Sequence, residues 1–396
     1  MNDASAVIVG GGPSGLRAAE IIAEQGIRTT LFEQKGSPGR KFLVAGRGGL
    51  NITHSEPLDV FATRYDLPER WRTLLTNFSP AALCEWFEKL GVPTFTGTSG
   101  RVFPLNVRAP EILKMWLERL AALGVDLQLD KRFLQMSGSG PYEVLFQTGT
   151  KQHSITADAV VFALGGASWP QTGSDGLWIE EFRRLGVEVR EFVPANVGWE
   201  RSWSEQFLSV ADGRPLKNLR VSCLNRSVRG ELMITRYGLE GGAIYQLTRE
   251  LRINPEIEID FKPDSLLEDL QKRVADGTFS KEKIIKTLRL SSAAVALIEE
   301  VGRPASPQGW LSRVKGCRMR LDRPRPISEA ISTAGGVTWN QLSEDLMLYR
   351  LPGVFCAGEM IDWEAPTGGY LLQGCFVTGT IAGRGVAKYI AKVRQA

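Results

Sequence analysis

Gly10, Gly12 and Gly15, in the segment VIVGGGPSG, stand at the G-x-G-x-x-G spacing that lets a backbone turn approach a diphosphate. In that pattern Gly10 serves the tight turn, Gly12 the close approach of the phosphates, and Gly15 the packing of a helix on the preceding strand. Pro13 and Ser14 open the helix, whose free N–H groups and positive dipole end face the anion. Glu33 ends the next strand 18 residues after Gly15, where it can accept hydrogen bonds from ribose hydroxyls and repel a 2′-phosphate. Gln34 follows it at the same rim. The unit as a whole implies a bound adenine dinucleotide without a 2′-phosphate.

The elements that position these residues are legible in the pattern. Residues 5–9 read as a buried strand, 13–25 as an amphipathic helix closed by Gly26, and 28–33 as a second strand, which makes a βαβ unit. Helices follow over 80–90 and 109–123, the latter capped by Gly124. The alternating runs 125–129, 142–148 and 152–156 predict a small antiparallel meander. Residues 159–164 predict a buried strand that returns to the main sheet and turns at Gly165. From 193 to 326 the texture changes to strands around 219–234 and helices over 266–274 and 281–301. A short strand at 354–357 and a final helix over 371–393 then resume the first pattern. The expected class is α/β. A nucleotide-binding domain in two parts, 1–192 and 327–396, flanks an inserted substrate or cap domain, 193–326, which is β-rich with a helical subdomain at about 264–303.

Composition narrows the chemistry. The 396 residues are 43% hydrophobic and 23% charged, values of a globular chain. The net charge of +4 is too small to argue for nucleic acid. Five cysteines include no C-x-x-C pair, which excludes a disulfide framework, a zinc ribbon and a redox dithiol, and no metal-ligating cluster is read. No apolar run approaches 18 residues, so no membrane partner is expected and the compartment implied is the cytoplasm.

The far end of the chain carries a second motif. In GVFCAGEMID, residues 353–362, a short strand meets a Gly-acid turn at Gly358 and Glu359. This resembles the second signature of the glutathione-reductase-like FAD superfamily, in which the acid after glycine binds the ribityl chain. Glu359 stands where that signature usually has aspartate, which makes Asp362 a substitute. In PTGGYLLQG, residues 366–374, Gly368 and Gly369 precede the last helix and would set the N–H groups of Tyr370, Leu371 and Leu372 on the flavin N1 and O2 edge. A helix terminus there contributes about 0.3–1 kcal/mol to an anion. Together with GRKFLVAGRGGLNITHSE at 39–56, GRVFP at 100–104 and AGGV at 334–337, these motifs resemble the BaiN/YhiN-like family of bacterial FAD-dependent oxidoreductases. The resemblance implies FAD as cofactor and a discontinuous Rossmann-like FAD-binding domain with a β-rich and a helical insert. One departure is that Gly49, Leu50 and Asn51 stand where the family usually has arginine, cysteine and asparagine.

Arg40 and Lys41 follow the second strand within reach of the pyrophosphate. Gly48, Gly49 and Asn51 are expected at the flavin ring. His54 is a candidate proton donor, and Arg101, Arg47 and Tyr370 are candidates to anchor substrate or close the flavin face. Trp169 and Pro170 read as packing. The leading function is oxidoreduction by hydride transfer through flavin N5 on a small-molecule substrate. RYGLEGG, residues 236–242, lacks the strand spacing of a second fingerprint, so electrons come from the substrate or from NAD(P)H docking transiently. The resembling family spans amine oxidation, reduction of carbon–carbon double bonds and reduction of uridine in ribosomal RNA. One alternative is therefore an RNA-modifying reductase with RVKGCRMRLDRPR, residues 313–325, as its basic footprint. Another is a non-catalytic flavin-binding regulatory or assembly protein. The oligomeric state is not encoded in any of these features.

Overall fold

The computed structural model describes residues 4–275 and 280–395. It divides into two compact units, Met1–Val193 with Ser332–Ala396, and Pro194–Ile331.

The first unit is built on a five-stranded parallel sheet of β1 (Ser5–Val9), β2 (Arg28–Phe32), β3 (Asp126–Gln128), β4 (Ala159–Phe162) and β5 (Val354–Cys356). Their order is β5-β4-β1-β2-β3. β1 and β4 read as unbroken apolar runs because both faces of a parallel sheet are covered. Four helices matter to the site: α1 (Pro13–Glu24), α2 (Arg40–Ala45), α3 (Ala109–Ala122) and α4 (Tyr370–Gln395). α1 and α4 pack so closely that a Cβ added at Gly379 would stand 2.4 Å from the Ser14 carbonyl oxygen. The two ends of the chain are thereby joined at the first turn of α1.

Under that crossing lies Glu20, which is fully buried. Its carboxylate accepts hydrogen bonds from Arg17 (2.9 Å), Trp86 (3.0 Å), Trp116 (3.2 Å) and Arg119 (3.2 Å). Burial lowers the Arg17 pKa, and Glu20 opposes that shift. The network ties α1 and α3 to the Trp86 helix, Pro80–Lys89.

The meander expected from the pattern is displaced by one strand. Residues 126–128 pair in parallel with β2, Thr30 opposite Asp126, and so form the edge of the main sheet. Asp130, at φ 57°, turns the chain out of the sheet. The meander then runs through Arg132–Ser137, Tyr142–Thr148 and Lys151–Ala157. Phe146 stacks on Phe32 at 4.0 Å and Phe133 packs on Phe162 at 5.0 Å, which seats the meander against the main sheet. A further antiparallel sheet of Thr53–His54, Arg101–Pro104 and Thr94–Thr96 also lies in this unit.

In the second unit six strands form an antiparallel sheet, beginning with Trp199–Glu200 and ending with Cys317–Arg320. The glycine-rich stretch at 236–242 includes the strand Gly238–Glu240, so it is not a nucleotide-binding turn. The helix expected over 281–301 is two helices, Lys281–Leu288 and Ser292–Gly302. Arg289 takes a left-handed conformation, and the Ser291 hydroxyl then accepts from the Ala294 N–H to start the second helix.

Candidate active site

A cavity in the first unit lies over the C-terminal ends of β1, β2 and β4, where an open parallel sheet leaves its crevice. Gly10, Gly12, Pro13 and Ser14 line it together with Glu33, Gln34, Arg40, Lys41, Gly165, Gly358 and Glu359. The three motif glycines differ in their surroundings. Gly10 has φ +109°, and a Cβ there would lie 2.3 Å from the Ala163 carbonyl oxygen. A Cβ on Gly15 would lie 1.9 Å from the Gly10 carbonyl oxygen, so Gly15 sits behind the cavity wall as packing. A Cβ on Gly12 would meet nothing within 4 Å, because Gly12 faces the void itself. No side chain caps α1 at Gly12, which leaves the first-turn N–H groups directed at that void.

The Glu33 carboxylate accepts from the Gly11 N–H and the Lys35 N–H, each at 2.8 Å. Burial pushes its pKa up, and these two backbone donors oppose the shift. Lys41 donates to Ser168 Oγ at 3.0 Å and to Glu359 Oε2 at 3.2 Å, which brings together residues 318 positions apart. Asp362 is committed elsewhere, to the Gly335 N–H at 3.1 Å and to Arg190 at 2.8 Å. Cys375 lines the cavity as well, but burial pushes its thiol up to about 12, so it stays protonated and unreactive.

The remaining candidates gather at the N-terminus of α4. A Cβ on Gly369, at φ +95°, would strike the Thr53 backbone at 2.5 Å. Asn51 donates to the Thr53 and Val102 carbonyls, at 2.8 and 3.0 Å. Asn51 Oδ1, Thr53 Oγ1 and Gln373 Oε1 are nonetheless buried with no hydrogen-bond partner. Each orphan costs about 1–3 kcal/mol, and these three lie around one helix start. Gly48 and Gly49 are exposed on the adjacent loop, and Leu371 and Leu372 pack against the core.

His54 engages both ring nitrogens. Nδ1 accepts from the Glu56 N–H at 3.1 Å and Nε2 faces the Ser99 carbonyl at 3.0 Å, an arrangement that selects the neutral Nε2–H tautomer. The Tyr370 hydroxyl donates to Glu56 at 2.7 Å, and Arg64 donates to the same carboxylate at 3.0 and 2.6 Å. Burial alone would raise the Glu56 carboxyl, but Arg64 and Tyr370 hold it below its ordinary value. Burial, then the Glu56 charge, raises the Tyr370 phenol. These bonds tie Tyr370, at the start of α4, to Glu56 and Arg64.

Beside this segment, burial and then the Glu364 charge push Asp66 up to about 6, and its Oδ1 has no partner. A carboxyl raised on folding contributes most stability below its unfolded value and loses it as pH rises through the folded one. Wild type should thus lose on the order of 2–3 kcal/mol between about pH 4 and pH 6 relative to Asp66→Asn. Paired urea titrations across that range measure the difference, and equal slopes for both proteins would refute it.

Residues not singled out from the sequence also line the cavity: Lys131 to Leu134 at the start of the meander, and Thr172 to Asp175 with Leu177 and Trp178. The second stretch is latched by Gln34 donating to the Gly173 carbonyl and by Trp178 donating to the Gly165 carbonyl at 3.0 Å. Its sequence, TGSDG, carried a turn signal that could have been read, with Gly173 and Gly176 both at positive φ.

This is the architecture of a Rossmann-like FAD-binding flavoprotein, and the chain is an FAD-dependent oxidoreductase. It belongs to the HI0933-like family, whose Rossmann domain matches residues 4–385. It is 27% identical to a 3-dehydro-bile acid delta(4,6)-reductase of Clostridium scindens, over 96% of this chain and 98% of that one. It is 24% identical to a ribosomal RNA dihydrouridine synthase of Escherichia coli, over 93% of this chain and 94% of that one. Among solved structures it resembles a flavocytochrome c3 fumarate reductase, with TM-score 0.53 and 16% identity over 98% of this chain and 78% of that one. It also resembles the 3-ketosteroid-delta4-(5alpha)-dehydrogenase of Rhodococcus jostii RHA1, with TM-score 0.50 and 16% identity over 97% and 96%. These two likenesses concern the fold alone. No helix among the described residues is long and apolar enough to cross a membrane.

Proposed function

We propose that the protein is a reductase that passes a hydride through flavin N5 to a small organic molecule with a conjugated carbon–carbon double bond, with NAD(P)H docking transiently as electron donor. The observation that carries this reading is the pairing of two loci in one unit: a dinucleotide cavity and, at the start of α4, a helix terminus ringed by orphaned polar atoms. FAD supplies the hydride chemistry when bound. The first-turn N–H groups of α1 receive the pyrophosphate, with Arg40 beside them, and Glu33 receives the ribose. Lys41 and Glu359 hold the ribityl region as a pair. Asn51, Thr53 and the start of α4 meet the ring.

Only one dinucleotide fingerprint is present in the sequence, so the nicotinamide donor binds and leaves within each turnover. Anaerobic addition of NADH or NADPH to the yellow protein should bleach the flavin. Flavin that stays oxidised with both would sink the donor assignment.

Reduction of uridine in RNA is the second reading, supported by the likeness to the Escherichia coli relative. Against it stands the charge pairing along 313–325. Lys315 is bound to Asp260, Arg318 to Glu258, Arg323 to Glu200, and Arg325 to both Glu200 and Glu329. Cations neutralised in this way release few counterions from a phosphate backbone.

A further inference from the structure

The small antiparallel sheet of Thr53–His54, Thr94–Thr96 and Arg101–Pro104 presents one face with an uncommon composition. By register Phe95 lies opposite Phe103 and His54 opposite Arg101, and alternate residues share a face. Phe95, Phe103, Arg101 and His54 therefore project to the same side. The two phenyl rings stack at 5.8 Å with planes 29° apart, yet Phe95 remains 46% exposed. The Arg101 side chain is exposed and has no ion pair or hydrogen bond among the described residues. A stacked aromatic pair with an uncommitted guanidinium at its end suits a flat ligand that carries an anionic group.

The face abuts both segments assigned above to the flavin ring. Phe103 lies 3.8 Å from the Cβ position of Gly49, and Arg101 Nε lies 3.9 Å from that of Gly368. His54 stacks on Tyr370 at 5.8 Å, continuing the aromatic surface to the start of α4. Phe103 is a two-residue step along the strand from Arg101, a rise of about 7 Å.

We infer that this face is the substrate platform and that it takes an amphipathic organic anion: a flat apolar body lies on Phe95 and Phe103, and its carboxylate pairs with Arg101. The inference rests on the flavin reading of the neighbouring segments and adds the substrate class to it. A polynucleotide fits the face less well, since Arg101 is the one arginine or lysine among its four residues.

The test uses the FAD-loaded protein and two probes that differ only in charge, 3-oxo-4-cholenoate and its methyl ester, titrated by calorimetry. Wild type should bind the carboxylate about tenfold more tightly than the ester. Arg101→Gln should erase that preference and leave ester binding unchanged, whereas Phe95→Ala should weaken both. Both side chains are exposed, so the fold is retained, and flavin absorbance per protein reports FAD content independently. A preference that survives Arg101→Gln, wild-type binding of neither probe, or tighter binding of oligouridylate than of the carboxylate would each overturn the proposal. A protein that takes up no FAD but still shows the charge preference would refute the flavin reading and leave the platform standing.

Discussion

Gly12→Val should give a folded, colourless protein. Gly12 has φ −77° and ψ 177°, extended backbone that valine adopts without strain. Its Cβ would enter open space, so the fold has no reason to object. That space, however, is where the phosphates must approach the first turn of α1. Losing two or three charge-assisted hydrogen bonds, at about 1.5–3 kcal/mol each, lowers FAD affinity by at least about a hundredfold. Flavin absorbance after reconstitution, read beside circular dichroism and a thermal melt matching wild type, checks both halves. Gly15→Val gives the opposite pattern, since its Cβ already collides with the Gly10 carbonyl, and the melt itself should fall. A yellow Gly12→Val protein would overturn the site.

Glu20→Ala should be the most destabilising single change in the first unit that lies away from the cavity. It leaves the guanidinium of Arg17, itself 6% exposed, without its buried counter-charge and strips a shared acceptor from Trp86 and Trp116. Removing one partner of a buried pair costs about 3–5 kcal/mol, which for a unit of this size is a fall on the order of 10 °C in its melting transition. Glu20→Gln keeps an acceptor but not the charge and should fall in between. A change of less than about 1 kcal/mol would show that the network is already open to solvent.

The dinucleotide unit was legible because its signals are local: three glycines, a proline at the helix start and an acid at a strand end lie within 24 positions. The strand at 126–128 was read into the wrong sheet because its partner, β2, lies far back in the chain and three residues carry no period of their own. The break at Arg289 escaped because periodicity continues across it, and only the left-handed residue and the Ser291 cap reveal two helices. In the site, glycines and acids announced themselves by type. The wall at 172–178 acquires its place from the Gln34 and Trp178 latches, which are contacts over 139 and 13 positions that no short window contains. The platform of Phe95 and Phe103 depends on strand register, and each phenylalanine alone reads as ordinary core.

The bond between Lys41 and Glu359 also dictates a schedule. At roughly 5–20 residues per second of synthesis, the lysine emerges on the order of half a minute before its partner is made. During that interval β1, α1 and β2 exist with no α4 to close their crevice, and residues 194–331 are made within it. The nascent first half therefore waits with part of its apolar sheet uncovered until the final helix is made. Cofactor capture becomes a late event, after the end of the chain has been delivered, and limiting FAD in the cell should show itself as aggregation of newly made protein before it shows itself as lost turnover.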